Sequence, residues 1–141
     1  MKTTLTIRTA DVKAGAWAGA IGGVAFGVLM GLMGALPMVA ALLGSESAFF
    51  GFALHIVFSV IIGILFSVLF GGVIKDQSQG AILGLVAGFI WWILGPLTIM
   101  PVWLGMGPQL GIEGVVMALP SLWGHLLFGF VMGVAVALQD R

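Results

Sequence analysis

The sequence predicts an all-α membrane protein: one domain of four transmembrane helices, built from two tandem helical hairpins. Three observations predict it. Of 141 residues, 61% are hydrophobic and 7% charged, a balance that a water-soluble domain of this size cannot present to solvent. Four apolar runs are each long enough to cross a bilayer, whose hydrocarbon core of about 30 Å takes about 20 helical residues. The features of the first half recur in the second. Five basic and five acidic residues cancel, so no basic surface exists for nucleic acid. Without cysteine there is no disulfide or thiolate ligand.

Residues 1–13, MKTTLTIRTADVK, read as a polar cytoplasmic leader carrying Lys2, Arg8 and Lys13. A signal peptide is the rival reading, but the apolar run from Ala14 to Leu36 is 23 residues, beyond the roughly 7 to 15 of a signal-peptide core. It is therefore taken as a retained first span, about 14–36, ended by Pro37. Glycine recurs along it at every fourth position: Gly15, Gly19, Gly23, Gly27 and Gly31. Such a row lies on one helical face and lets a second backbone approach closely.

A short segment with Glu46 leads to the second span, about 48–72. Counting by four from Gly51 gives His55, Ser59, Gly63, Ser67 and Gly71, a stripe of small or polar residues. The polar turn VIKDQSQ follows. The third span, about 80–100, carries Gly80, Gly84 and Gly88 before Trp91 and Trp92, and Pro96 is placed to kink it. Residues 101–119 are too apolar for a solvated loop and too broken by Gly and Pro for a span. They are expected in the outer interface, anchored by Trp103. The fourth span, about 115–138, repeats the second stripe as Ser121, His125, Gly129, Gly133 and Ala137.

All five basic residues fall on one side of this even-numbered topology, which by the positive-inside rule makes both termini cytoplasmic and puts Glu46 and Glu113 outside. A bacterial inner membrane is the expected location. Residues 14–75 and 78–141 read as two copies of one unit, each a glycine-striped helix, an outer connection with one glutamate, and a histidine-bearing helix. Two-span units enter the membrane alike, so the copies should be related by an axis along the membrane normal.

The segments ALHIVFSVIIGILFSVLFG and PSLWGHLLFGFVMGVAVAL, each a histidine followed by a small-residue helix, resemble the small four-span bacterial membrane proteins that include the YagU-like inner-membrane proteins. The resemblance covers most of the chain. It implies a four-helix membrane bundle and brings no reaction with it.

The two histidines are the candidate site. A histidine inside a span turns toward protein or a cavity, and both sit in small-residue stripes. One chemistry open to them is a hydrogen bond across a helix interface, to a carbonyl, to Ser59 or Ser121, or to each other. Another is axial ligation of a tetrapyrrole, haem or chlorophyll-like, with His55 and His125 as ligands and the glycines making room. Copper is a third, through the two imidazoles and methionines on the outer side, but those methionines form no tight motif. No nucleophile triad or phosphate loop can be assembled, so no enzymatic activity is expected. The spans hold no Asp, Glu, Lys, Arg, Asn or Gln in their central portions, which leaves an oligomeric transporter or channel for a metal ion or small solute as the competing class. The expected role is a non-enzymatic subunit in the lipid bilayer. The helix-packing residues are Gly15, Gly19, Gly23, Gly27, Gly31, Ser59, Gly63, Gly84, Gly88, Gly129 and Gly133; these stripes outnumber what four helices demand among themselves, a surplus that suggests packing against itself or other membrane subunits, with a pigment or lipid held at the histidines.

Overall fold

In a computed structural model the described residues are 8–139. The leader as far as residue 7, together with Asp140 and Arg141, lies outside them. Six α-helices follow in order: α1 (Thr9–Leu32), α2 (Leu36–Ala40), α3 (Ala48–Phe70), α4 (Gln77–Leu94), α5 (Met100–Trp103) and α6 (Ile112–Ala137). Four stretches are long and apolar enough to span a membrane: α1, α3, Gln77–Trp103 and α6. The chain is an integral membrane protein folded as a helical bundle.

Local sequence sets the helix ends. Arg8 precedes α1 and pairs with Asp11 of its first turn through two hydrogen bonds of 2.8 and 2.7 Å. The carboxylate, by hydrogen bonding first and by its charge second, raises the Arg8 pKa above its ordinary value. At the other end α1 stops at Leu32, short of Pro37. Gly34 adopts a left-handed φ of 67°, its N–H bonds the Gly31 carbonyl, and the Ala35 N–H reaches back to the Met30 carbonyl at 2.9 Å. This paired arrangement satisfies carbonyls a helix end leaves open. Pro37 then sits in the first turn of α2, where its missing N–H costs nothing, so it opens a helix where a helix end was expected. Ser47 caps α3 by accepting the Phe50 N–H, and Asp76 caps α4 by accepting the Gln79 N–H while Gln79 accepts the Lys75 N–H.

Pro96 does not end the third span. The chain widens into a π-turn over Gly95–Ile99, absorbs the missing donor, and continues helically to Trp103. Thr98 Oγ1 donates to the Ile93 carbonyl at 2.9 Å there. The segment after it turns through Gly105 and Gly107, both at positive φ, and α6 has begun by Ile112. Trp103 is exposed but ties this segment to the first loop, its indole N–H donating to the Leu42 carbonyl at 2.9 Å.

Packing joins α1 to α3, α4 to α6, and α1 to α6, giving the spatial order α3, α1, α6, α4. Within each hairpin the antiparallel partners meet in four-residue steps. Cβ atoms added at Gly15 and Gly19 would overlap backbone at Gly63 and Ser59, and at Gly23 the Ser59 side chain. In the second hairpin Gly80, Gly84 and Gly88 would overlap carbonyls of Gly133, Gly129 and His125. The two helix pairs are thus held at backbone contact, closer than any larger side chain allows.

The contact between hairpins is built differently. Phe128 of α6 lies over Gly22 of α1, and Phe26 of α1 lies over Gly124 of α6, so each helix offers one ring and one glycine to the other. Phe26, Phe128 and Met132 are buried there, and Gln139 closes the far end by donating to the Ala14 carbonyl at 3.1 Å. No comparable packing joins α3 to α4. The offsets between the two halves match Gly124 to Leu54 and Gly22 to Ala87, so neither glycine has a glycine counterpart in the other half.

Candidate functional site

Three helices bring their conjugated side chains together around Phe26. It lies 5.1 Å from the His55 ring, nearly perpendicular to it at 89°, and 4.8 Å from the His125 ring at 63°. Both histidines thus contact one phenyl ring, one from α3 and one from α6, and Gly124 admits that ring by having no side chain. His55 is seven residues along α3, roughly 10 Å from its start, whereas His125 is thirteen residues into α6, roughly 20 Å. Both nevertheless reach the same Phe26 ring.

The two rings are held differently. His55 is buried, and its Nε2 lies 3.0 Å from the Gly23 carbonyl of α1. A carbonyl only accepts, so Nε2 carries the proton and donates it across the helix interface. Ser59 donates back to the His55 carbonyl at 2.8 Å and brings its Oγ to 3.5 Å from Nε2. His125 turns within its own helix: Nδ1 donates to the Ser121 carbonyl at 2.8 Å. The proton is therefore on Nδ1, and Nε2 at the ring tip carries a lone pair. Gly95, at the start of the π-turn, is the residue that faces it; a Cβ added there would lie 3.7 Å from Nε2.

The small residues singled out from sequence fall into three groups. Gly15, Gly19, Gly23 and Gly27 of α1 meet α3 at Gly63, Ser59, His55 and Phe52, while Gly84 and Gly88 of α4 meet Gly129, Gly133 and the His125 backbone. Gly31 is exposed, with only the Leu36 side chain near it, because α1 ends one residue later. Apart from Gly31, these glycines face partners inside the chain.

Phe26 was not visible as a site residue. Its own four-residue row, Ala18, Gly22, Phe26 and Met30, lies beside the glycine row and faces α6, and only knowledge of that pairing gives it meaning. Trp92 is buried and donates its indole N–H to the Ala118 carbonyl at 2.9 Å.

Among the described residues no three His, Cys, Asp or Glu side chains come together to hold a metal ion. No family model, curated protein or solved structure matches the chain.

Removing the His55 ring leaves the Gly23 carbonyl without its donor. His55→Ala is expected to destabilise the bundle by about 0.6 to 1.7 kcal/mol, the range of hydrogen bonds between membrane helices. Unfolding by sodium dodecyl sulfate titration in mixed micelles, followed by tryptophan fluorescence, measures it.

Proposed function

We propose that the chain is a non-enzymatic integral membrane subunit that packs against a further transmembrane helix, from a second copy or a larger complex, with both termini cytoplasmic in a bacterial inner membrane. The observation that supports it lies on the free face of α1. Trp17, Ala20, Ile21 and Val24 enclose a shallow apolar depression, and their spacing of i, i+3, i+4 and i+7 is that of the four-residue hole that receives a knob from a facing helix. The small Ala20 forms its floor, while Trp17 and Val24 stand exposed at its two ends.

The matched four-residue registers of the hairpins support descent from one duplicated unit. In this reading the glycine zippers and the Phe26 junction make a rigid scaffold, and α1, central in the bundle, presents its third face outward. His55 serves as an interhelical lock.

Filling the depression is the test. Ala20→Phe is expected to reduce the protein to single chains in lipid nanodiscs, as counted by stepwise photobleaching of a terminal fluorophore, or to release it from the complex it purifies with under mild detergent. An unchanged copy number and unchanged companions would sink the proposal.

A further inference from the structure

We propose that the helix seated on α1 is α4 of a second copy, joined head to tail, with Lys13 of one chain facing Asp76 of the next. This rests on the reading that the α1 depression receives a transmembrane helix, and shape and charge then name the helix. The depression is the first of two. Ile21, Val24, Ala25 and Val28 repeat its spacing one turn on, with Ala25 in the place of Ala20, so the free face of α1 is a groove with alanine along its floor.

Helix α4 carries the complementary shape. Its outward face bears Ile82, Val86 and Ile90, which are 61%, 52% and 48% exposed, a ridge of branched side chains at four-residue spacing. Being branched at Cβ, they have few rotamers to lose on docking. Direction and depth also match. Gly22 and Phe26 of α1 meet Phe128 and Gly124 of α6, while Gly84 and Gly88 of α4 meet Gly129 and the His125 backbone of α6. Both helices therefore run against α6 and parallel to each other, and these contacts set Ala20 level with Leu83 and Lys13 level with Asp76. Copies of one membrane protein share orientation and depth, so Ile82 of a neighbour enters the hollow over Ala20 and Val86 the one over Ala25.

Charge selects this pairing over a symmetric one. Lys13 is exposed on the stripe of the groove, one turn before Trp17, with no ion-pair partner among the described residues. Asp76 is exposed at the head of α4; its Oδ1 accepts the Gln79 N–H at 2.9 Å, and Oδ2 has no partner among the described residues. Two α1 helices packed about an axis along the membrane normal would instead set Lys13 against Lys13, a juxtaposition that costs affinity. Because α1 and α4 are different surfaces, each copy keeps one of them free for a further neighbour.

The test is disulfide cross-linking of the full chain in native membranes with copper phenanthroline, read on a denaturing gel. The chain has no cysteine of its own, and α1 and α4 of one chain are not packing partners. A chain carrying both Ala20→Cys and Ile82→Cys is expected to give a ladder of covalent oligomers, and either change alone to give none. In that double-cysteine background Lys13→Gln and Asp76→Asn should each lower the yield by about two- to fivefold, the range for an exposed ion pair. Asparagine still caps α4, and the two charge changes together should cost no more than either one. Cross-linking by Ala20→Cys alone would overturn the proposal in favour of symmetric α1 pairing, and charge losses that multiply would also overturn it. So would a double-cysteine chain that stays single, and the effect of Ala20→Phe on copy number or companions then decides the broader reading. If Ala20→Phe still disperses the protein, a different helix fills the groove; if it changes nothing, both readings fail.

Discussion

Gly84→Val is expected to be among the most damaging single substitutions in the protein, lowering stability by about 3 kcal/mol, the upper part of the range for overpacked cores. The reason is what the added atoms would meet. A Cβ at Gly84 would overlap the Gly129 carbonyl, and one at Gly129 would overlap the Gly84 carbonyl. Neither can rotate away, since backbone has no alternative rotamer, so the helices must separate and lose the contact along the whole seam. Gly31→Val is the internal control: its position is exposed with only the Leu36 side chain near, and the change should cost well under about 1 kcal/mol. Detergent unfolding of the two variants side by side measures the contrast. Equal losses would mean that glycine acts through helix propensity and not through contact.

Phe26→Ala is expected to cost about 3–5 kcal/mol, as truncating a buried phenylalanine does in well-packed cores. This ring alone touches both imidazoles and fills the notch over Gly124, so its loss opens a void where α1, α3 and α6 meet. The effect should be coupled to Gly124. Gly124→Ala overlaps the Phe26 ring in the native arrangement, but in the Phe26→Ala background the extra methyl enters empty space. A double-mutant cycle over these two positions should therefore give a coupling of about 1–3 kcal/mol. Additive losses would show that the ring and the glycine do not meet.

The periodicities visible in the sequence reached as far as individual helices and their seams. Glycine at every fourth position in α1 and α4, and the His55 and His125 stripes in α3 and α6, marked the faces that now meet within each hairpin. They could not give the order of hairpins, because the row containing Gly22 and Phe26 looks like any other apolar row until α6 is known to lie on it. Pro37 was misplaced, and the distortion at Pro96 took a form the sequence does not specify, for a related reason. A proline forbids a donor at its own position, yet whether the chain stops, starts or widens there depends on neighbours: Gly34 had already ended α1, and the π-turn carried the third span on to Trp103. The histidines were found as a matched pair, but their different hydrogen bonds are set by which carbonyl each ring can reach, Gly23 across an interface or Ser121 one turn back.

The spatial order α3, α1, α6, α4 also fixes an order of assembly during synthesis. When α3 emerges, α1 is already present, and the first glycine seam can close within the bilayer. α4 then enters with no large partner, since it has little to pack on in α3. Among the described helices only α6, made after the other three spans, supplies the matching seam for α4 and, on its neighbouring row, the Phe128 ring and the Gly124 notch for α1. Helix α6 is therefore the closing member for both halves of the described bundle. Until it is inserted, α4 is a single span without its glycine-seam partner.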